Sequence, residues 1–275
     1  MNTLEFTALV GLGALAAGFL GALTGLGGGV VIVPLLTLAF GVDIHYAIGA
    51  ALVSVIATSS GAAAAYVREG YSNVRVGMFL EVATVVGALV GAALVLHLRV
   101  SVISILFGIV LLYSAYASIT DHAHSGANAK PDRIATWLRM DSTYPTADGL
   151  ENYHVHGVPQ GFGLMLVAGV LSGLLGIGSG AVKVLAMDKA MKLPFKVSTT
   201  TSNFMIGVTA AAGAGIYLSR GYIDPGLAMP VMLGVLAGSL LGARILAGAK
   251  VRVLRLVFSG VIAALAAEMI YKGLK

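Results

Sequence analysis

The sequence has no cysteine, a single tryptophan and seven prolines in 275 residues, and only 11% of it is charged. Without cysteine there is no disulfide framework, no Cys-ligated zinc and no mark of an oxidising compartment. A soluble domain carries about a quarter charged residues. A chain with less than half of that lacks the side chains to cover a water-facing surface. The formal charge of +5 is too small for the basic footprint of a nucleic-acid binder. The opening Met1-Asn-Thr-Leu-Glu-Phe6 has no basic n-region and no obvious small-residue cleavage site. The first apolar run is therefore expected to be retained, not removed as a signal peptide.

What remains is apolar: 58% of the chain. The stretches 100–120 and 226–243 carry no charged side chain at all. Runs of this length can cross a ~30 Å hydrocarbon core. The expected fold class is an all-α polytopic membrane protein with the lipid bilayer as its surroundings.

The chain repeats itself. A shift of 151 residues lays Gly25-Leu-Gly-Gly-Gly29 on Gly176-Ile-Gly-Ser-Gly180, and the register then holds without gaps. Tyr66 meets Tyr217, Gly70-Tyr71 meets Gly221-Tyr222, Gly87 meets Gly238, Gly91-Ala92 meets Gly242-Ala243, and Phe107 meets Phe258. Shared composition alone would not keep one register for about a hundred residues. The domain plan is thus a first membrane repeat at 1–120, a polar linker at 121–158 and a second repeat at 159–275. The linker holds Asp121, Lys130, Asp132, Arg133, Arg139, Asp141, Asp148 and Glu151.

Each copy opens with a Gly-broken apolar stretch, about 4–40 and 159–188. Three spans follow in each: 45–66, 74–97 and 100–120, then 196–218, 225–247 and 251–271. The broken stretch either crosses once or returns as a hairpin, and the positive-inside rule arbitrates. A single crossing divides the Lys and Arg residues 8 against 8, with Lys183 set aside as intramembrane. A hairpin divides them 12 against 4, which gives a clear orientation. The hairpin places the 121–158 linker in the cytoplasm and both termini outside. It also leaves three crossings per copy, so the expected architecture is two inverted repeats, each a Gly-broken helical hairpin plus three transmembrane helices. That is a common secondary-transporter plan, with the substrate held near the midplane between the copies.

Irregular backbone inside a membrane is tolerated only when buried in protein or facing a wet cavity. A Gly-rich turn that opens a helix gathers N–H groups and the positive end of the helix dipole, and so suits an anion. Gly27, Gly28 and Gly29 do this in the first copy; Gly178, Ser179 and Gly180 do it in the second. Close helix packing is the alternative use of such glycines, and it explains the Gly87/Gly91 and Gly238/Gly242 pairs.

Symmetry supplies a scaffold, and asymmetry points to a substrate. Ile32 of the first copy corresponds to Lys183 of the second. An intramembrane lysine marks function by default, with snorkelling to the cytoplasmic face as the alternative. Gly49-Ala-Ala-Leu-Val53 corresponds to Thr200-Thr-Ser-Asn-Phe204. Thr200, Thr201, Ser202 and Asn203 could donate to a desolvated oxyanion together with Lys183, or serve as caps and interhelical bonds. Glu81 stands opposite Met232 and is a candidate for proton coupling or for the counter-ion of a lysine. Glu268 lies near the outer end of the last span. Asp121-His-Ala-His124 and His154-Val-His156 flank the linker and are expected to be solvated pairs, not a metal site. No nucleophile–base pair stands out in the spans, so neither catalysis nor a cofactor is expected.

Gly25-Leu-Gly-Gly-Gly29-Val-Val-Ile-Val-Pro34, its echo Gly176-Ile-Gly-Ser-Gly180, the segment Tyr217-Leu-Ser-Arg-Gly221-Tyr-Ile-Asp224 and the Gly238-xxx-Gly242 span resemble the TauE/SafE family of sulfite exporters, also called the toluene-sulfonate uptake permease family. The resemblance covers nearly the whole chain apart from 121–158. It implies a multi-pass inner (plasma) membrane carrier, working as an exporter, for sulfur-containing anions such as sulfite, sulfoacetate and other organosulfonates. The sequence departs from the family pattern in the second copy: Leu185 stands opposite Pro34, Ser179 replaces the middle glycine, Lys183 holds a normally apolar place, and the linker is long. An anion channel of the same architecture and a non-transporting scaffold or sensor remain alternative classes. A homo-oligomer stays open as a partner state.

Overall fold

The computed structural model describes residues 2–24, 29–68, 70–119, 132–146, 149–246 and 251–275. The protein is mostly helical. Helix α1 (Thr3–Thr24) precedes the short α2 (Gly29–Pro34), which runs into a π-helical turn at Leu35–Ala39. Helices α3 (Ile44–Arg68), α4 (Val74–Val95) and α5 (Val100–Ile119) complete the first half. Helix α6 (Arg133–Trp137) and the strands β1 (Ser142–Thr146) and β2 (Gly149–Tyr153) come next. The second half repeats the pattern: α7 (Val158–Leu175), α8 (Gly180–Leu185) with a π turn at Ala186–Ala190, α9 (Phe195–Ser219), α10 (Pro225–Leu246) and α11 (Val251–Leu274).

Among the described residues two helices, Val74–Val95 and Val158–Leu175, are long and apolar enough to cross a membrane; five more apolar helical stretches of 10–17 residues accompany them. The offset seen in the sequence recurs in the structure. Ile44 and Phe195, Val74 and Pro225, and Val100 and Val251 all open helices, and the members of each pair stand 151 residues apart.

The packing repeats in the same way. Helix α4 lies along α7, and α10 lies along α1. A Cβ at Gly87 would run into the carbonyl oxygen of Leu166, and one at Gly238 into that of Leu15. The two contacts are mates under the repeat. Backbones this close need glycine, the usual means of tight helix association inside a bilayer. Gly91 meets Val170 and Leu174, while Gly87 meets Leu166 and Val170, so α4 and α7 run parallel. Gly234 meets Gly11, and Gly238 meets Leu15, so α1 and α10 run parallel too. The pairs related to themselves run antiparallel. Gly207 touches Ser59 and Gly213 touches Leu52 between α9 and α3; Gly108 touches Ala266 and Gly273 touches Ser101 between α5 and α11.

Each broken stretch turns back on itself. Phe6 and Phe40 meet edge to face at 5.8 Å. In the second half, the His156 N–H donates to the Met191 carbonyl at 3.0 Å. The beginning and end of each stretch therefore share one end of the molecule. The break in the second half is built from left-handed residues: Gly176 (φ 70°), Gly178 (φ 69°) and Ser179 (φ 45°). Ser179 takes the place of Gly28 in the repeat. Left-handed backbone costs a non-glycine residue roughly 1–2 kcal/mol. A 2.6 Å bond from the Ser179 hydroxyl to the Ala168 carbonyl offsets part of that.

The 121–158 segment, read from sequence as a polar linker in an all-α chain, contains a two-stranded antiparallel sheet in which Ser142 pairs with Tyr153 and Thr146 with Gly149. Its described part, 132–146 and 149–158, is docked. Asn73 caps α4 by accepting from the Val76 N–H at 3.1 Å, and its amide donates to the Met140 carbonyl and the Tyr153 hydroxyl, both at 2.8 Å. Arg75 donates to the Arg139 carbonyl at 3.0 Å.

Candidate functional site

Gly29, at the start of α2, meets the second break in the interior. A Cβ at Gly29 would lie 3.1 Å from the Gly176 carbonyl oxygen and 2.7 Å from Val55. Val30, Ile177, Ser179 and Gly180 border a small pocket there, closed further by Val110, Ser114 and Val182, of about 10 Å³. That is room for about one water. Gly29, Gly178, Ser179 and Gly180 are all buried. Gly27 and Gly28 fall outside the described residues.

Lys183 sits one turn beyond the second tip and is 0% exposed, so its ammonium does not snorkel to either face. Its Nζ donates to the hydroxyl of Thr209 on α9 at 2.5 Å, and that hydroxyl donates to Glu81 Oε1 on α4 at 2.6 Å. Three elements thus contribute one residue each to a buried chain of ammonium, hydroxyl and carboxylate. The Thr209 hydroxyl also lies 3.0 Å from the Met205 carbonyl. The second carboxylate oxygen, Glu81 Oε2, is buried with no hydrogen-bond partner among the described residues. Leu80 precedes Glu81 on α4 and Met205 stands one turn before Thr209 on α9, and both are buried in one apolar cluster with Met165. A low-dielectric surround strengthens the attraction between the two charges.

The other residues singled out in the sequence lie further along α9. The Thr200 hydroxyl donates to the Tyr71 carbonyl at 3.0 Å, and the Thr201 hydroxyl accepts from the Asn73 N–H at 3.0 Å. These two tie the start of α9 to the turn before α4. Ser202 donates to the Gly180 carbonyl at 3.3 Å, back towards the tip. Asn203 is half-buried. The structure therefore gathers Lys183, Glu81, Ser179, Gly180 and Ser202 around the second hairpin, and uses Thr200 and Thr201 in contacts at the helix end. Glu268 is exposed.

Thr209 was not legible as a site residue. It is identical to Thr58 under the 151-residue shift, so a search keyed on differences between the copies passes over it. Among the described residues Thr58 bonds within its own helix, to the carbonyls of Ser54 and Val55. The partners that make Thr209 special, Lys183 and Glu81, stand where the other half has Ile32 and Met232.

Among the described residues no group of three or more His, Asp or Glu side chains gathers as a metal site. His154 Nδ1 lies 3.2 Å from Asp141, and His122 and His124 lie outside the described residues. Burial pushes the Tyr153 phenol above the ordinary tyrosine value.

The family model described as Sulfite exporter TauE/SafE matches residues 10–269. The chain is 28% identical to the probable membrane transporter protein YunE of Bacillus subtilis (strain 168), over 98% of this chain and 99% of that protein. It is 28% identical to the probable membrane transporter protein YdhB of the same organism, over 82% of this chain and 83% of that protein. No solved structure matches.

Proposed function

The chain belongs to the TauE/SafE family, a family of membrane transporters, and from that premise we propose that it is a multi-pass secondary transporter of the inner membrane. Its substrates are small sulfur-containing oxyanions such as sulfite, sulfoacetate or other organosulfonates. Lys183 is the electrostatic anchor for the anion. The tips at Gly27–Gly29 and Gly178–Gly180 supply backbone donors, and Ser202, Asn203, Thr200 and Thr201 extend the polar surface along α9. The observation that carries this reading is the fully buried ammonium of Lys183, one turn beyond the left-handed break of the second half. A buried cation in an apolar hairpin is too costly to keep as packing. It is also the charge that a desolvated oxyanion requires.

The two halves are inverted repeats in this account. A two-fold axis that relates antiparallel helices to each other lies perpendicular to them. The antiparallel α3/α9 and α5/α11 pairs therefore support an axis in the membrane plane. The return of each hairpin to its starting end supports three full crossings per half. Arg75, Arg133, Arg139, Lys189, Lys192 and Lys196 lie at the end that carries the 132–158 segment, which supports a cytoplasmic place for it. With Lys183 closed to solvent, transport requires the halves to move relative to one another and open the site to each face in turn.

A thermal-shift panel tests the binding claim. Ligands that bind the folded state raise its melting temperature by mass action. Sulfite, sulfoacetate or ethanesulfonate should stabilise the purified protein, while acetate and taurine serve as comparisons. The shift should vanish in Lys183→Ala. Equal shifts in that variant would remove Lys183 from the site.

A further inference from the structure

Among the described residues Glu81 is the one counter-charge linked to Lys183, and an entering anion needs the same ammonium. We infer that the anion and Glu81 compete for Lys183, so that each anion bound brings one proton onto Glu81 and the protein is a proton–anion symporter. This rests on Lys183 as the anion's partner and adds what happens to the displaced carboxylate.

Charge accounts for the exchange. In the structure the Lys183 ammonium faces the Glu81 carboxylate through the Thr209 hydroxyl, and the site is neutral as a whole. If a monovalent anion took Lys183 and Glu81 kept its charge, one negative charge would stand uncompensated in an apolar interior. Burying an unpaired carboxylate is far more costly than burying a neutral carboxyl. Among the described residues no other cation bonds to Glu81. Helix α7, packed along α4, has no ionisable side chain between Val158 and Leu175. Helix α9 carries Lys196 in its first turn and Tyr217 near its far end. The turn after α8 places Asp188 and Lys189 at the end of the second hairpin. Arg75 lies in the first turn of α4, where it bonds to the Arg139 carbonyl, and Asp141 holds the His154–Val155 segment beside it.

The carboxylate is also free to accept. Glu81 Oε2 is buried without a hydrogen-bond partner among the described residues, so a proton can be added there without breaking a contact seen in the structure. The site then passes from ammonium with carboxylate to ammonium with anion and neutral carboxyl. Both states are neutral. One proton enters from the side that supplies the anion, bonds to Oε2, and leaves with the anion on the other side. Thr209 positions the two competitors, because its hydroxyl links the ammonium to the carboxylate.

Ethanesulfonate is the probe, since it stays ionised throughout the neutral range and cannot itself exchange protons. The wild-type protein in weak buffer with a pH indicator dye should take up about one proton for each ethanesulfonate bound. Its Kd should rise about tenfold per pH unit wherever Glu81 is ionised in the free protein, as one-proton linkage demands. Glu81→Gln should bind ethanesulfonate with a Kd that no longer changes with pH. Binding in wild type without proton uptake and with a flat pH profile would overturn the coupling and leave the anion site standing. No binding of ethanesulfonate, sulfite or sulfoacetate to wild type would overturn the anion site and the coupling together. Should Glu81→Gln fail to fold, the wild-type proton count decides alone.

Discussion

The repeat itself supplies the substitutions that isolate the buried pair. The first half carries Ile32 where the second has Lys183, and the second carries Met232 where the first has Glu81. Lys183→Ile leaves Glu81 buried without its cation; Glu81→Met leaves Lys183 without its anion. Removing one member of a buried ion pair typically costs about 3–5 kcal/mol. The low end, about 3 kcal/mol, is expected here for each, because an orphaned group can discharge by exchanging a proton. Replacing both by apolar groups of similar size is often neutral or stabilising. The double variant should therefore unfold within about 1 kcal/mol of wild type. The coupling energy would then exceed the roughly 0.5–3 kcal/mol usual for contacting residues. Unfolding in detergent with rising denaturant, followed by circular dichroism, measures all four corners of the cycle. Anion binding should be absent from every variant that lacks Lys183, the stable double included, which separates function from folding. A double variant that is simply the sum of its singles would refute the pairing of Lys183 with Glu81 through Thr209.

Asn73→Ala removes a cap and leaves the Met140 carbonyl and Tyr153 hydroxyl without their donor; a loss of about 2–4 kcal/mol is expected, read as a lower melting temperature and faster proteolysis within 132–158. Burial holds the Tyr153 phenol protonated above its ordinary range, so the stability it contributes is complete below about pH 10 and is lost as pH rises through the higher folded value. An alkaline unfolding profile should show that loss, and Tyr153→Phe should remove it; an unchanged profile would detach Tyr153 from the stability of the segment. Gly238→Leu would push a side chain into the Leu15 carbonyl and should separate α1 from α10, with unfolded or aggregated protein by size exclusion. A well-behaved, fully stable Gly238→Leu would contradict the close approach.

Much of the architecture was legible because punctuation in the chain is strong. Charged or Gly-rich turns at 68–75, 96–100 and 219–225 separate long apolar runs, and the helix ends fall close to them. The copy register was legible because Gly87 and Gly238 each answer to a backbone contact, with Leu166 and Leu15. Lys183 and Glu81 stood out as charges in apolar surroundings. Glu81 was also legible as a candidate counter-ion of a lysine; the link through Thr209 was not, since Thr209 looks like part of the repeated background and contact across 128 positions leaves no local trace. The fold of 132–158 was hidden for another reason. Its strands are five residues each, one contains Pro145, and neither has the alternation that marks a buried face. What holds them is Asn73, more than 65 residues before the sheet, a polar residue whose role follows only from tertiary contact. The hydroxyls of Thr200 and Thr201 illustrate the limit of composition: a polar cluster at a helix start serves a ligand or a helix end equally well, and here both reach the 71–73 turn.

Counterflow in proteoliposomes puts the central claim to its most direct test. Vesicles loaded with unlabelled sulfoacetate or sulfite should accumulate the labelled anion transiently and saturably when they contain the wild-type protein, and should fail to do so with Lys183→Ile/Glu81→Met, the variant expected to stay folded. Equal counterflow by that variant, or none by wild type with either anion, would contradict a carrier that holds its anion on Lys183.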